Sequence, residues 1–291
     1  MPDHHSACPL CNAGHFERSQ LYAAHHLVQC RACGFWFSHR VPTDAELLAF
    51  YGNYTMIRDL SPVTRIRYVE LLDRFEAYRS TGVLCDVGAG GGLFLDQAKA
   101  AGWQCRGTEF DQAIVEECRA RGIDMHCGPL LDHTWPKGSV DVVVSIEVIE
   151  HLRWPQQDLR AMVDLLRPGG ALYLTTPNFN SISKWLNRGT WNVVNYPEHI
   201  SFFTPATLHR ALAGLGLRRV SLRTTGLSIT RLKRSHGGTG QAASGLSSDE
   251  QLRRTIEGKP WLRVAKKAAD GLLDLTGTGD SLKALYVKPV Q

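Results

Sequence analysis

The sequence lacks any run of about 18 uninterrupted apolar residues, so no membrane-crossing helix is expected. Its first residues, MPDHHSACPLC, lack a basic stretch followed by an apolar one. A secretory leader is therefore not expected, and the expected compartment is the cytoplasm, where thiols stay reduced. Internal repeats are absent, and no charge sign dominates: 33 Lys+Arg stand against 28 Asp+Glu, a net +5. With 43% apolar residues the chain can bury a real core, which excludes a disordered, collagen-like or coiled-coil protein. Its 291 residues fit one large or two modest domains of ~150 residues each. Cysteine is missing from most of the chain. Cys8, Cys11, Cys30 and Cys33 fall near the start, and the remaining four lie between Cys85 and Cys127. A disulfide scaffold would be shorter and Cys-dense throughout.

The first quartet consists of two Cys-x-x-Cys knuckles, Cys8/Cys11 and Cys30/Cys33. Two such pairs offer the four thiolates that a structural zinc ion takes as a tetrahedron. Gly34 after the second pair suits a turn needing a left-handed backbone. A closed four-thiolate site has no open position, so its expected role is to staple residues 1–40 as a zinc ribbon. Cys85, Cys105, Cys118 and Cys127 read as small core residues.

Residues 41–80 form a connector and a packing helix. Ser61-Pro62 is a helix start, and Val63, Ile66, Val69, Leu72 and Phe75 propose its buried face. From 81 onward short apolar runs alternate with helical patterns. Strands are expected at Val83 to Val87, Cys105 to Phe110, Asp124 to Cys127, Val142 to Ile146, Ala171 to Thr176, Leu217 to Thr225 and Ser281 to Lys288. A helix from Pro155 to Arg167 should stop at Pro168-Gly169-Gly170. The fold class is α/β, a Rossmann-like, doubly wound, mainly parallel sheet over residues 81–291. Residues 229–270 hold nine Lys/Arg and four Asp/Glu, so this stretch alone carries +5, and it opens a basic helical insert at about 229–279. Without interleaved aromatics it reads as a solvated insert rather than a platform for single-stranded nucleic acid.

Asp86-Val87-Gly88-Ala89-Gly90-Gly91-Gly92 follows a strand and opens a helix. The glycines allow close backbone approach to a ligand, but their spacing is not G-x-G-x-x-G. A carboxylate at Asp86 would repel a pyrophosphate and suits a cationic amine. Glu109, at the end of the next strand, can accept both hydroxyls of a ribose. Two acids so placed favour adenosine joined to an amino acid, S-adenosyl-L-methionine.

Four segments carry a resemblance: Val-Leu-Cys-Asp-Val-Gly-Ala-Gly-Gly-Gly (83–92), Gly-Thr-Glu-Phe-Asp (107–111), Val-Asp-Val-Val-Val-Ser-Ile-Glu-Val-Ile-Glu-His-Leu (140–152) and Leu-Arg-Pro-Gly-Gly-Ala-Leu-Tyr-Leu-Thr-Thr-Pro-Asn (166–178). In this order they resemble the class I S-adenosylmethionine-dependent methyltransferases over about residues 60–226. The N-terminal segment resembles the zinc ribbon fused to some bacterial members. The resemblance implies that Gly88 and Gly90 line the methionine part, with Asp86 beneath it. It implies that Glu109 holds the ribose, Phe110 flanks the adenine, and Ser145 and Ile146 face the sulfonium. Tyr51 or Tyr54 would close over it.

Glu147, Glu150 and His151 would share one face if a helix follows the fourth strand, and His199 follows the fifth. Two carboxylates and two imidazoles could hold Mg²⁺ or another divalent ion. The Glu-x-x-Glu-His pattern is similar to the metal motif of ubiquinone-biosynthesis O-methyltransferases. Without a metal, His151 or His199 is a candidate general base. The expected reaction is O-methylation of a small metabolite or glycan precursor. Two alternatives stand beside it: ribose 2′-O-methylation of RNA, and a catalytically silent cofactor-binding scaffold.

Overall fold

The protein is described here from a computed structural model, covering residues 3–51, 59–227 and 260–290, with side chains except those of 51 and 260–267. Tyr54, the side chain of Tyr51 and most of the basic segment lie outside the described residues.

Strands β4 (Val83–Val87), β5 (Gln104–Glu109), β6 (Asp124–Cys127), β7 (Val140–Ile146), β8 (Leu166–Pro177), β10 (Arg218–Thr225) and β11 (Ser281–Val287) form a seven-stranded sheet in the order β10-β11-β8-β7-β4-β5-β6. The neighbours β8-β7-β4-β5-β6 run parallel. β4 is buried along its whole length, as expected of a strand covered on both faces. The order reverses on either side of β4, so the crevice between β4 and β7 at the carboxyl ends is the place where such sheets bind ligands.

Among the helices, α1 is Asp44–Tyr51, α2 Pro62–Phe75, α3 Leu93–Ala100 and α4 Gln112–Ala120. Later in the chain come α5 (Pro155–Leu165), α6 (Ile182–Asn187), α7 (Pro205–Gly214) and α8 (Pro260–Thr276). Local chemistry sets their starts. Ser61 accepts from the Thr64 N–H at 3.2 Å with Pro62 behind it, and Asp111 accepts from Ala113 and Ile114 at 2.9 and 3.3 Å.

Two expectations are corrected. The buried face of α2 is Val63, Leu71, Leu72 and Phe75, while Ile66 and Val69 are exposed. Stepping by three residues turns back by about 60° each time on a 3.6-residue helix, so a strict three-residue stripe winds off the face. Helix α5 ends at Leu165 rather than Arg167, because Leu166 is already extended (ψ 133°) and begins β8.

The chain forms two compact units. The first holds residues 1–50, 176–208 and 223–283, and the second holds 51–175, 209–222 and 284–291. The first contains a small antiparallel sheet of β1 (Phe16–Arg18), β2 (Leu27–Cys30), β3 (Trp36–Ser38) and β9 (Ser201–Phe202). Thus the cysteine-rich segment pairs through β3 with a strand from residues 201–202. Tyr22, Leu27, Phe179, Trp191 and Phe202 share one core there. Trp191, Phe202 and Phe203 are buried core side chains.

In the second unit Asp141 is fully buried and accepts from the Ser80 and Gly82 N–H groups at 2.8 and 2.7 Å and from the Arg167 guanidinium. Burial raises its pKa, but the backbone N–H of Ser80 and the Arg167 guanidinium outweigh that and hold it below the usual carboxylate range.

Candidate active site

The turn after β4 is shaped by backbone that only glycine adopts readily. Gly88, Gly90 and Gly92 have φ of +74°, +52° and +72°. At Gly88 a Cβ would also lie 2.6 Å from Val148 Cγ2, so no side chain fits. The parallel register Asp86↔Gly107 and Val87↔Thr108 sets the end of β5 beside this turn. The Ala89 N–H donates to the Thr108 carbonyl at 2.9 Å, and the Gly88 N–H to Thr108 Oγ1 at 3.2 Å. Glu109 Oε2 accepts from the Gly90 N–H at 2.9 Å, while Oε1 accepts from the Phe110 N–H at 2.7 Å. Glu109 is therefore held by backbone on both oxygens, at a turn that allows close approach.

Thr108 is a positioning residue that the sequence reading missed. It is buried and fixes the glycine turn from below through both its backbone and its hydroxyl. A Thr inside a strand carries no spacing signal that would single it out.

Asp86 is buried, and its Oδ1 has no hydrogen-bond partner among the described residues. Burial, and then the Glu109 charge, push its pKa up to about 8. The sign follows from linkage. The carboxyl stays protonated in the fold between its ordinary value of 3.8 and about 8, while the unfolded chain ionises. Its contribution to stability should fall as pH rises through that window and level off above it. Asp86→Asn should remove this slope, measured as the difference from wild type in denaturant unfolding between pH 4 and pH 9. Parallel curves for the two proteins would refute the buried-acid account.

Phe110 is 72% exposed next to Glu109, so its ring is open to a ligand. Ser145 and Ile146 pair with Leu174 and Thr175 at the carboxyl end of β7. Ser145 is buried, and its Oγ has no partner among the described residues.

The condition for Glu147, Glu150 and His151 to share a helix face is not met after β7. Glu147 is left-handed at φ +55°, and only a single 3-10 turn, Ile149–His151, follows before Pro155 opens α5. Glu147 is therefore not stacked one turn from Glu150 and His151. Instead its Oε1 accepts from Thr175 Oγ1 at 2.9 Å. Glu150 is buried, with Oε1 4.0 Å from His151 Nε2. His199 belongs to the other unit. Its Nδ1 lies 2.7 Å from the Val193 carbonyl oxygen, which can only accept, so the neutral ring carries its lone pair on Nε2.

In the first unit the sulfurs of Cys8, Cys11, Cys30 and Cys33 all lie within 4.8 Å of one another. Cys8–Cys33 is 3.7 Å and Cys11–Cys30 is 3.6 Å. A disulfide would need about 2.05 Å, whereas a tetrahedron of 2.3 Å zinc–sulfur bonds has edges of about 3.8 Å. The two knuckles close alike: Asn12 N–H donates to the Cys8 carbonyl and Gly34 N–H to that of Cys30, each at 2.9 Å. Both residues are left-handed. Asn12 was legible too, since asparagine tolerates that region better than most residues. The Cys33 thiol is lowered to about 5, chiefly by its hydrogen bond with Cys8, while burial raises that of Cys11 to about 11. Of the other four, Cys85, Cys105 and Cys118 are buried and Cys127 is half-buried.

Comparison with known proteins gives one family match, described as "Methyltransferase domain", over residues 63–222. A probable S-adenosylmethionine-dependent methyltransferase of Mycolicibacterium smegmatis is 32% identical over 182 residues, 61% of this chain and 64% of that protein. The chain thus spans just under two thirds of that relative's length. The ubiquinone biosynthesis O-methyltransferase of Chromobacterium violaceum is 28% identical over 174 residues, 53% of this chain and 72% of that one. Among solved structures, an S-adenosylmethionine-dependent methyltransferase of Archaeoglobus fulgidus superposes with a TM-score of 0.54 at 18% identity, covering 83% of this chain and 99% of that one. The [4+2]-cyclase SpnF superposes with a TM-score of 0.54 at 16% identity, covering 86% and 98%. At such identities these structures show the fold alone, and the pair illustrates that one fold hosts different chemistry.

Proposed function

The chain belongs to the methyltransferase-domain family, and from that premise we propose that it uses S-adenosylmethionine to methylate a hydroxyl oxygen of a small metabolite or glycan precursor. The observation carrying the cofactor part is the Glu109 carboxylate, fixed by the Gly90 and Phe110 N–H groups beside a turn with no room for a side chain at Gly88. Asp86 supports it: a buried acid with an oxygen unpartnered among the described residues suits a cationic ligand, whose charge would restore the carboxylate. When bound, the cofactor supplies a methyl group on a sulfonium.

This chain's own residues then have the following roles. Glu109 holds the ribose hydroxyls. Gly88 and Gly90 let backbone approach the methionine part, with Asp86 beneath it. Phe110 offers a ring face to the adenine, and Ser145 and Ile146 border the reacting end. His199 and His151 are the candidate bases for the acceptor's proton. In-line transfer needs little more than positioning and exclusion of water. The choice of oxygen follows the similarity to ubiquinone biosynthesis O-methyltransferases.

Transfer of labelled methyl to a panel of phenols, nucleotide sugars, amines and RNA tests the reading. Phenols or sugars should be labelled, and His199→Ala should lower kcat about 100-fold or more if His199 is the base. Label confined to amines or RNA would reject it. A divalent ion at Glu147, Glu150, His151 and His199 remains a proposal from the sequence. Metal analysis should show His199→Ala losing one ion beyond zinc, and an unchanged stoichiometry removes that ion.

A further inference from the structure

In the first unit a cavity of about 260 Å³ opens beside α6, lined by Phe179, Asn180, Ser181, Lys184, Trp185 and Thr278. It lies just below the ~300 Å³ at which small-molecule pockets begin, which limits its occupant to roughly one ring and a substituent. Its walls have two characters. Trp185 is 71% exposed, an unusual state for an indole and one that leaves a flat apolar face at the cavity rim. Opposed to this is a set of donors without a carboxylate among the lining residues.

Lys184 dominates that set. Its Nζ sits 3.9 Å from the Phe179 ring centroid and 5.9 Å from that of Trp36. Phe179 is itself buried. Among the described residues, no carboxylate lies within ion-pair distance of Lys184. Aromatic faces compensate a cation only in part, and burial lowers its pKa, as a desolvated ammonium lacking a counter-charge requires. Ser181 Oγ accepts from the Lys184 N–H at 3.2 Å, so its own hydrogen remains to be donated. The Asn180 amide uses one hydrogen at most, toward the Gly277 carbonyl at 3.4 Å. Residues carrying an ammonium, a hydroxyl and an amide thus line a cavity together with an exposed indole.

We propose that this cavity is a binding site for a small organic anion, in which Lys184 pairs with a carboxylate or phosphate while Trp185 stacks on the planar body that carries it. The site is independent of the methyl-transfer reading, since its residues include none of those assigned to the cofactor. Benzoate, phenyl phosphate and uncharged benzamide are the probes, titrated calorimetrically into the full chain. Benzoate or phenyl phosphate should bind about tenfold or more tightly than benzamide, and the tighter of the two tells which anion the site favours. Lys184→Gln should abolish the difference between charged and neutral probes, and Lys184→Arg should retain most of it. Equal affinity of wild type for all three probes, or no affinity for any, overturns the proposal whether or not the variants fold. Unchanged benzoate binding in folded Lys184→Gln overturns it as well.

Discussion

Glu109→Ala should weaken S-adenosylmethionine binding by about 100-fold or more. The carboxylate is expected to accept both ribose hydroxyls, and two charge-assisted hydrogen bonds at roughly 1.5 kcal/mol each come to about 3 kcal/mol. A second loss adds to it. Glu109 also accepts from the Gly90 N–H at 2.9 Å and from the Phe110 N–H at 2.7 Å, so its removal frees the turn that the cofactor must meet. Glu109→Gln separates the two effects. It keeps one acceptor oxygen but replaces the other with a donor, and should cost about tenfold. Thr108→Val removes only the hydroxyl that holds the Gly88 N–H and should cost less than either. Calorimetric titration with S-adenosylmethionine reads all three. Wild-type affinity in Glu109→Ala would end the assignment of this crevice.

Removing zinc should have the larger structural effect. The four sulfurs already stand at separations close to the edges of a zinc tetrahedron, and structural zinc sites of this kind carry on the order of 10–16 kcal/mol of binding free energy at neutral pH. The purified chain should hold one zinc ion at this site, and Cys30→Ser or Cys33→Ser should lose it. Stripping it with a strong chelator should dissolve the β1–β3 sheet, because these strands are only three or four residues long. The damage should reach β9, which pairs with β3 through Trp36↔Phe202 and Phe37↔Ser201. Phe35 and Phe37 are fully buried in this region, so near-ultraviolet circular dichroism is the sensitive readout. Binding should also weaken as pH falls, since the thiols must give up their protons. A metal-free chain with unchanged dichroism and melting would rule out a structural zinc.

Much of this was legible in the residues alone because it depends on short-range pattern. Alternating apolar runs and helical stretches specify the parallel sheet. Ser61-Pro62 and Asp111 open helices through bonds to residues two or three positions away. Each Cys-x-x-Cys spacing lets its own two sulfurs converge on one ion, and the acids at 86 and 109 stand at successive strand ends. The tertiary structure decided what depends on distant neighbours. It left Glu147 left-handed and bonded to Thr175, so it does not share a helix face with Glu150 and His151. It withdrew Asp86 from water beside Glu109, raising its pKa, although an isolated Asp-Val-Gly carries no such signal. It tied the cysteine-rich segment to residues 201–202, and it set Lys184 over Phe179 with no carboxylate at ion-pair distance among the described residues. Burial and electrostatics act through space, between residues that may be a hundred positions apart, whereas period and spacing report only what lies within a few residues along the chain.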